Sequence, residues 1–183
     1  MANWYPVRLI VVGQRSAVLH FSSQARARPS SIFKPDMLIG EGQELFSERI
    51  ERWTPKISRK KYVFQVRSDD GRDHFQELSR RFTSPWFVLV YGDPSGEQYG
   101  SYIIRQGRCR SYSVPDKLKI AVMRKHGAEY IEDDEDDWRF WEASWELMDL
   151  AQAHWDGFLL EDLSPGFRRV SIRKSSKRCH STR

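Results

Sequence analysis

Cysteine is scarce in this sequence: only Cys109 and Cys179 occur, far apart and the second in a polar stretch. That leaves no disulfide framework and no cysteine zinc site to expect. Long apolar runs are missing too, since nothing approaches the ~20 residues that span a bilayer. The opening MANWYPVRLIVVG lacks the basic-then-apolar order and the small-residue cleavage site of a signal peptide. The expected compartment is therefore the cytoplasm, with no membrane partner. Catalytic signatures are equally thin, with no HExxH, no GxSxG and no glycine-rich phosphate loop. His20, His74, His126, His154 and His180 show no ligand spacing, and capping accounts for Asp69, Asp70, Asp73 and His74 near one helix start. We expect no catalytic residue, no metal and no cofactor; an enzyme with an unrecognised site stays as an alternative that a deep pocket with convergent carboxylates or His74 would favour.

What is present is an ordinary load of apolar residues and a segregated charge. Of 183 residues, 39% are hydrophobic and 30% charged, enough for one domain with a core plus an appendage. The net charge of +5 divides into +10 over residues 1–128, −12 over 129–162 and +7 over 163–183. Such a chain either compensates itself across its own surface or shows partners two faces of opposite sign.

Periodicity gives the elements. Val7 to Gly13 reads as a buried strand and Gln14 to Ser22 as a short helix. The stretch from Ser22 to Asp36 is a Ser-, Pro- and Arg-rich loop, and ELFSERIERW suggests a helix with Leu45, Ile50 and Trp53 inward. Tyr62 to Val66 is a strand, followed by a helix with Phe75, Leu78 and Phe82 inward and Ser68 or Asp69 as its cap. From Trp86 to Val114 the pattern is strand, turn, strand, turn, strand, with turns at Asp93–Gly96 and at Gln106-Gly107. Alternation on the last strand puts Cys109 inward between outward Arg108 and Arg110. The order implies an α+β domain over 1–114, a mainly antiparallel sheet with helices on one face. A helical extension over 115–162 follows, a basic helix ended by Gly127 and then an acidic, tryptophan-rich one. A basic tail, read as disordered, occupies 163–183.

On a wheel of 100° per residue, Trp138, Trp141, Trp145, Phe140, Leu147, Met148, Ala151 and Trp155 share a half-circle. They read mostly as a packing face, docked on the sheet or on a partner. Glu142, Glu146 and Asp149 lie opposite, and the acids from Glu132 to Asp137 suit a helix start, where the dipole favours negative charge. A calcium loop would need a glycine at its bend, which this stretch lacks; mimicry of nucleic-acid charge is the remaining alternative.

Two surfaces invite a macromolecular partner. Arg168, Arg169, Arg173, Lys174, Lys177 and Arg178 in the tail suit phosphates through counterion release, or serve as a solubilising tail. Arg59, Lys60 and Lys61, with Arg26, Arg28, Arg80 and Arg81, extend the basic surface, and sheet tyrosines such as Tyr91 and Tyr102 invite comparison with platforms that stack single-stranded bases, or else lie under the helices. The second surface is the acidic helix, with Trp138, Trp141, Trp145, Glu142 and Glu146 as contacts to a host protein, the alternative in which the chain is an inhibitor or anti-defence factor.

The opening Met-Ala-Asn-Trp, with a strand carrying Leu9, Val11 and Gly13, resembles the start of the YubB-like ferredoxin-like family of plasmid and phage proteins. HFQELSRRF (74–82) and FVLVYGDPSGEQYGSY, with Tyr91, Pro94, Gly96, Tyr99 and Gly100, resemble that family's later helix and strand–turn–strand. The chain departs from it at Tyr5, where the family has cysteine, at Asp93 in place of glutamate, and in lacking a Trp-Gly-Thr-x-Trp segment. The resemblance implies a ferredoxin-like fold and an accessory protein of a mobile element working in a bacterial cell; it carries over no catalytic residue.

Overall fold

The computed structural model describes residues 4–26, 32–33, 46–47, 49–67, 71–92, 98–128 and 138–163. Strand β1 (Trp4–Gly13) leads into helix α1 (Arg15–Arg26), two short strands β2 (Phe46–Ser47) and β3 (Glu51–Arg52), and β4 (Ser58–Arg67). Helix α2 (Arg72–Arg81) precedes a meander of β5 (Trp86–Gly92), β6 (Tyr99–Arg105) and β7 (Arg108–Ser113). Helices α3 (Asp116–His126) and α4 (Trp138–Leu163) follow.

The sheet runs β2-β4-β1-β5-β6-β7, with β3 also on β4, and every pairing is antiparallel. This is an α+β fold with a helical C-terminal region. The crossover β4–α2–β5 straddles β1 in the manner of a split β-α-β unit, whereas β1–α1–β4 joins direct neighbours.

Apolar residues on both sides of β1 explain the layering. Val7, Leu9 and Val11 face one way and meet Phe21 of α1 and Phe75 and Leu78 of α2. Ile10 and Val12 face the other way, into a second core with Val88, Val90 and Ile103 of the sheet and Leu147, Met148, Ala151 and Trp155 of α4. So α1 and α2 cover one face, and the C-terminal helices cover the other. The extension docks on the protein's own sheet rather than standing apart from it.

Local chemistry sets several boundaries. Gln106 and Gly107 both have positive φ, 51° and 74°, the conformation that a two-residue hairpin between twisted strands requires. Gly107 is also where α2 grips the hairpin: its N–H donates to Ser79 Oγ at 2.8 Å and its carbonyl accepts from Gln76 Nε2 at 2.8 Å. Helix α3 ends at Gly127, φ 68°, with Ala128 N–H reaching back to the Met123 carbonyl. Cys109 turns toward the α1/α2 side, while Arg108 and Arg110 stay exposed, as alternation implies.

One helix expectation is corrected. ELFSERIERW forms no helix over its described residues; Phe46–Ser47 and Glu51–Arg52 are short strands on β4. Glu51, placed opposite Arg59, gains a cross-strand ion pair there (2.7 Å) that a lone helix would not give it. The cap at Ser68 or Asp69 and the Asp93–Gly96 turn lie outside the described residues.

Candidate functional site

Helix α4 lies over β5, β6 and β7, and its Gln152 comes to the edge of β4 beside Arg59 and Lys61. On that side of the sheet β1 presents Arg8, Ile10 and Val12. The facing positions of β4 are Arg59, Lys61, Val63 and Gln65, all half-buried rather than covered. Arg49 and Trp53 lie beside them, whereas Arg52, opposite Ser58, falls on the other face by alternation. Residues 49–61, RIERWTPKISRKK, hold six cations and one carboxylate. Alternation separates the lysines: Lys61 joins the open strip, whereas Lys60 is buried on the opposite face with its ammonium on Ser22 Oγ at 2.8 Å. Arg80 and Arg81 are exposed at the end of α2, on another part of the surface, and Arg28 lies outside the described residues.

A small recess of about 50 Å³ opens in the angle between α4 and this strip, lined by Ile10, Arg49, Glu51, Arg59, Lys61 and Gln152. That volume holds a few waters or one tetrahedral oxyanion, and it is too small for a sugar ring or a base. Arg59 holds Glu51 ionised, pulling its carboxyl below the usual value through a charge-assisted hydrogen bond. On the helix side burial pushes the Asp156 carboxyl up, against the pull of Arg59 and a hydrogen bond from Gln152.

Beside the recess, Arg8 is only 6% exposed. Its Nη1 donates to Asp149 Oδ1 at 2.5 Å and to Gln152 Oε1 at 2.9 Å, and its guanidinium lies 5.5 Å from the centre of the Trp145 ring. Among the described residues its buried Nε has no hydrogen-bond partner. Arg8, Trp145, Asp149 and Gln152 thus fix which edge of α4 faces the strip. Trp138 and Trp141 fall on that same edge, seven and four residues before Trp145.

The expected partner residues divide accordingly. Trp155 is in the core, where its indole N–H donates to Ser101 Oγ at 3.0 Å. Trp138 and Trp145 are 65% and 38% exposed, and Trp141 is half-buried. The buried stripe of α4 is rotated away from them, onto Ala143, Ser144, Leu147, Met148, Ala151, Trp155 and Leu159. Small residues go inward because the sheet face already carries Tyr99 and Ile103; Tyr99 even hydrogen-bonds Ser144 across the interface at 2.7 Å. Glu142 and Glu146 lie on another side of α4, against α3, where Glu146 binds both Lys125 Nζ and His126 Nε2 at 2.7 Å. Those two bonds hold the Glu146 carboxyl below its usual value.

Tyr91 and Tyr102 stand on the α1/α2 side, not on the open strip. Tyr91 is buried and stacked on Tyr102 at 5.1 Å, and the Arg72 guanidinium lies over Tyr102. Their ring faces are used inside the protein, the alternative that put sheet tyrosines under the helices. Arg168, Arg169, Arg173, Lys174, Lys177 and Arg178 lie outside the described residues.

Sequence reasoning passed over Arg8, Arg49, Trp53 and Gln152. Arg8 carried a signal: one cation in a strand apolar on both sides must find partners across the sheet face. Among the described residues no three His, Cys, Asp or Glu side chains gather as metal ligands, and no helix is long and apolar enough to cross a membrane. No family model, curated protein or solved structure matches the chain.

Proposed function

We propose that the protein is a non-enzymatic nucleic-acid-binding protein whose folded domain contacts phosphates through the strip of Arg49, Arg59 and Lys61. The observation that carries this reading is the half-buried strip between α4 and the β3–β4 edge, where Arg49, Arg59 and Lys61, with Glu51 on Arg59, line a recess of oxyanion size. The tail cations from Arg168 to Arg178 add a sequence-independent attraction of the kind that any polyanion feels. In line with the resemblance of its opening residues, the proposed setting is the cytoplasm of a bacterial cell hosting a plasmid or phage.

The test is fluorescence anisotropy with labelled DNA and RNA, titrated in salt. Three phosphate contacts predict a slope of log K against log salt of about −2 from the strip for a single strand. Arg59→Glu with Lys61→Glu is expected to remove that component in a protein that keeps its unfolding midpoint. Affinity and slope unchanged in the double variant would sink the proposal. A second reading, docking on a host protein, is favoured by the exposed indoles of Trp138 and Trp145.

A further inference from the structure

We infer that the ligand of this face is a single strand rather than a duplex, with its phosphates on Arg59 and Lys61 and a base stacked on Trp145. The inference rests on the nucleic-acid reading and specifies it. Its observation is that the two features expected to serve different partners, the basic surface and the exposed tryptophans, lie on the same side of α4. Arg8, packed under Trp145 and bonded to Asp149 and Gln152, ties them together, because Gln152 also lines the recess.

Shape decides against a duplex. Helix α4, about 10 Å across, stands as a ridge along the strip. Lys61 and Gln152 sit in the angle at its foot, which a rod as wide as a duplex cannot enter. A single backbone can. Arg59 and Lys61, alternate residues of β4, are about 6.6 Å apart along the strand, a step that an extended strand matches from one phosphate to the next. The recess between them takes one oxyanion and nothing larger, so sugars and bases must lie outside it.

Outside it are aromatic surfaces. Arg8 occupies one side of the Trp145 ring, which remains 38% exposed. At the other end of the strip Trp53 is half-buried, with the Arg59 guanidinium 5.5 Å from its ring centre. Indoles next to cations along a backbone-wide groove are the recurring means of holding single strands without sequence preference. Trp138 follows the carboxylates Glu132 to Asp137 in sequence, which would repel a phosphate, so it is assigned no part. Glu51 opposes binding, because its carboxylate lines the same recess and already holds Arg59 Nε at 2.7 Å.

The experiment uses the full chain with labelled oligothymidylate, oligouridylate and a mixed-sequence duplex of equal length. The expected result is single-strand binding about tenfold tighter than duplex binding, with quenching of tryptophan fluorescence. Trp145→Ala is expected to weaken single-strand binding roughly tenfold, Trp145→Phe to keep most of it, Trp138→Ala to leave it unchanged, and Glu51→Gln, which frees Arg59 of its carboxylate, to strengthen it. The phenylalanine variant keeps the test decisive should the alanine variant fail to fold. Equal affinity for duplex and single strand, with no effect of either Trp145 variant, overturns the inference and leaves the nucleic-acid reading standing. No binding to any of the three at low salt overturns both.

Discussion

Ser101 shows how single polar atoms fasten α4 to the sheet. Its hydroxyl donates to the Ala151 carbonyl at 2.7 Å and accepts from the Trp155 indole at 3.0 Å, in a fully buried position. Removing it leaves the buried Trp155 indole N–H without its acceptor and takes a second hydrogen bond from the Ala151 carbonyl, which keeps its place in the helix. Ser101→Ala is therefore expected to cost about 1–3 kcal/mol, read as a lower urea midpoint at unchanged m-value. Gly100, its neighbour, has no spare room. A Cβ there would come within 2.5 Å of the Tyr91 hydroxyl and 2.6 Å of the Tyr112 carbonyl, so the Tyr91–Tyr102 stack and the β6–β7 pairing both depend on a bare backbone at that point.

Two contacts between elements make predictions of their own. The first is the α3–α4 clamp, in which Lys125 and His126 hold the Glu146 carboxyl below its ordinary value of 4.5. A carboxylate with a lowered folded-state pKa contributes stability above its unfolded value and loses it as the pH falls through the folded one. Stability is expected to decline as the pH drops below about 4.5, and Glu146→Gln to flatten that part of the profile, measured by urea unfolding across pH. The second is the β6–β7 hairpin. Gly107→Ala must hold a side chain at φ 74° and push its Cβ to within 2.7 Å of Arg80 Nε. A loss of about 1–2 kcal/mol is expected, again as a shift in the unfolding midpoint. Elements of this kind were legible beforehand because their signals are local: alternation in β1 and β5 to β7, Gly127 closing α3, and Gln106-Gly107 turning the chain. The strands at Phe46–Ser47 and Glu51–Arg52 were not, since ELFSERIERW has helical spacing and only the pairing with β4 overrules it. The edge of α4 that faces Arg8 was equally hidden. A wheel finds the apolar side of a helix, but the rotation that put Ala143 and Ala151 inward and left Trp145 outside is set by the bulk of the sheet opposite.

At the scale of the molecule, the sheet is a partition between two cores, and α4 closes the second of them. A chain stopped after Ser113 would bare Ile10, Val12, Val88, Val90 and Ile103 together. It is expected to lose cooperative unfolding and to bind the dye ANS, checked by near-ultraviolet circular dichroism and dye fluorescence. The two faces of β4 are covered unequally: Tyr62, Phe64 and Val66 join the core under α1 and α2, whereas Arg59, Lys61, Val63 and Gln65 on the α4 side are only half-buried.

The central place of β1 has a further consequence on the ribosome. Both strands that flank β1, β4 and β5, lie later in the chain, so at about 5–20 residues per second its edges wait several seconds for their neighbours to be made. Throughout that interval Val7 to Val12 is a β-branched, nearly uncharged segment with nothing on either side, the kind of stretch that pairs with copies of itself. Arg8 is the one charge within it, and so it serves the nascent chain as a gatekeeper before it ever meets Asp149.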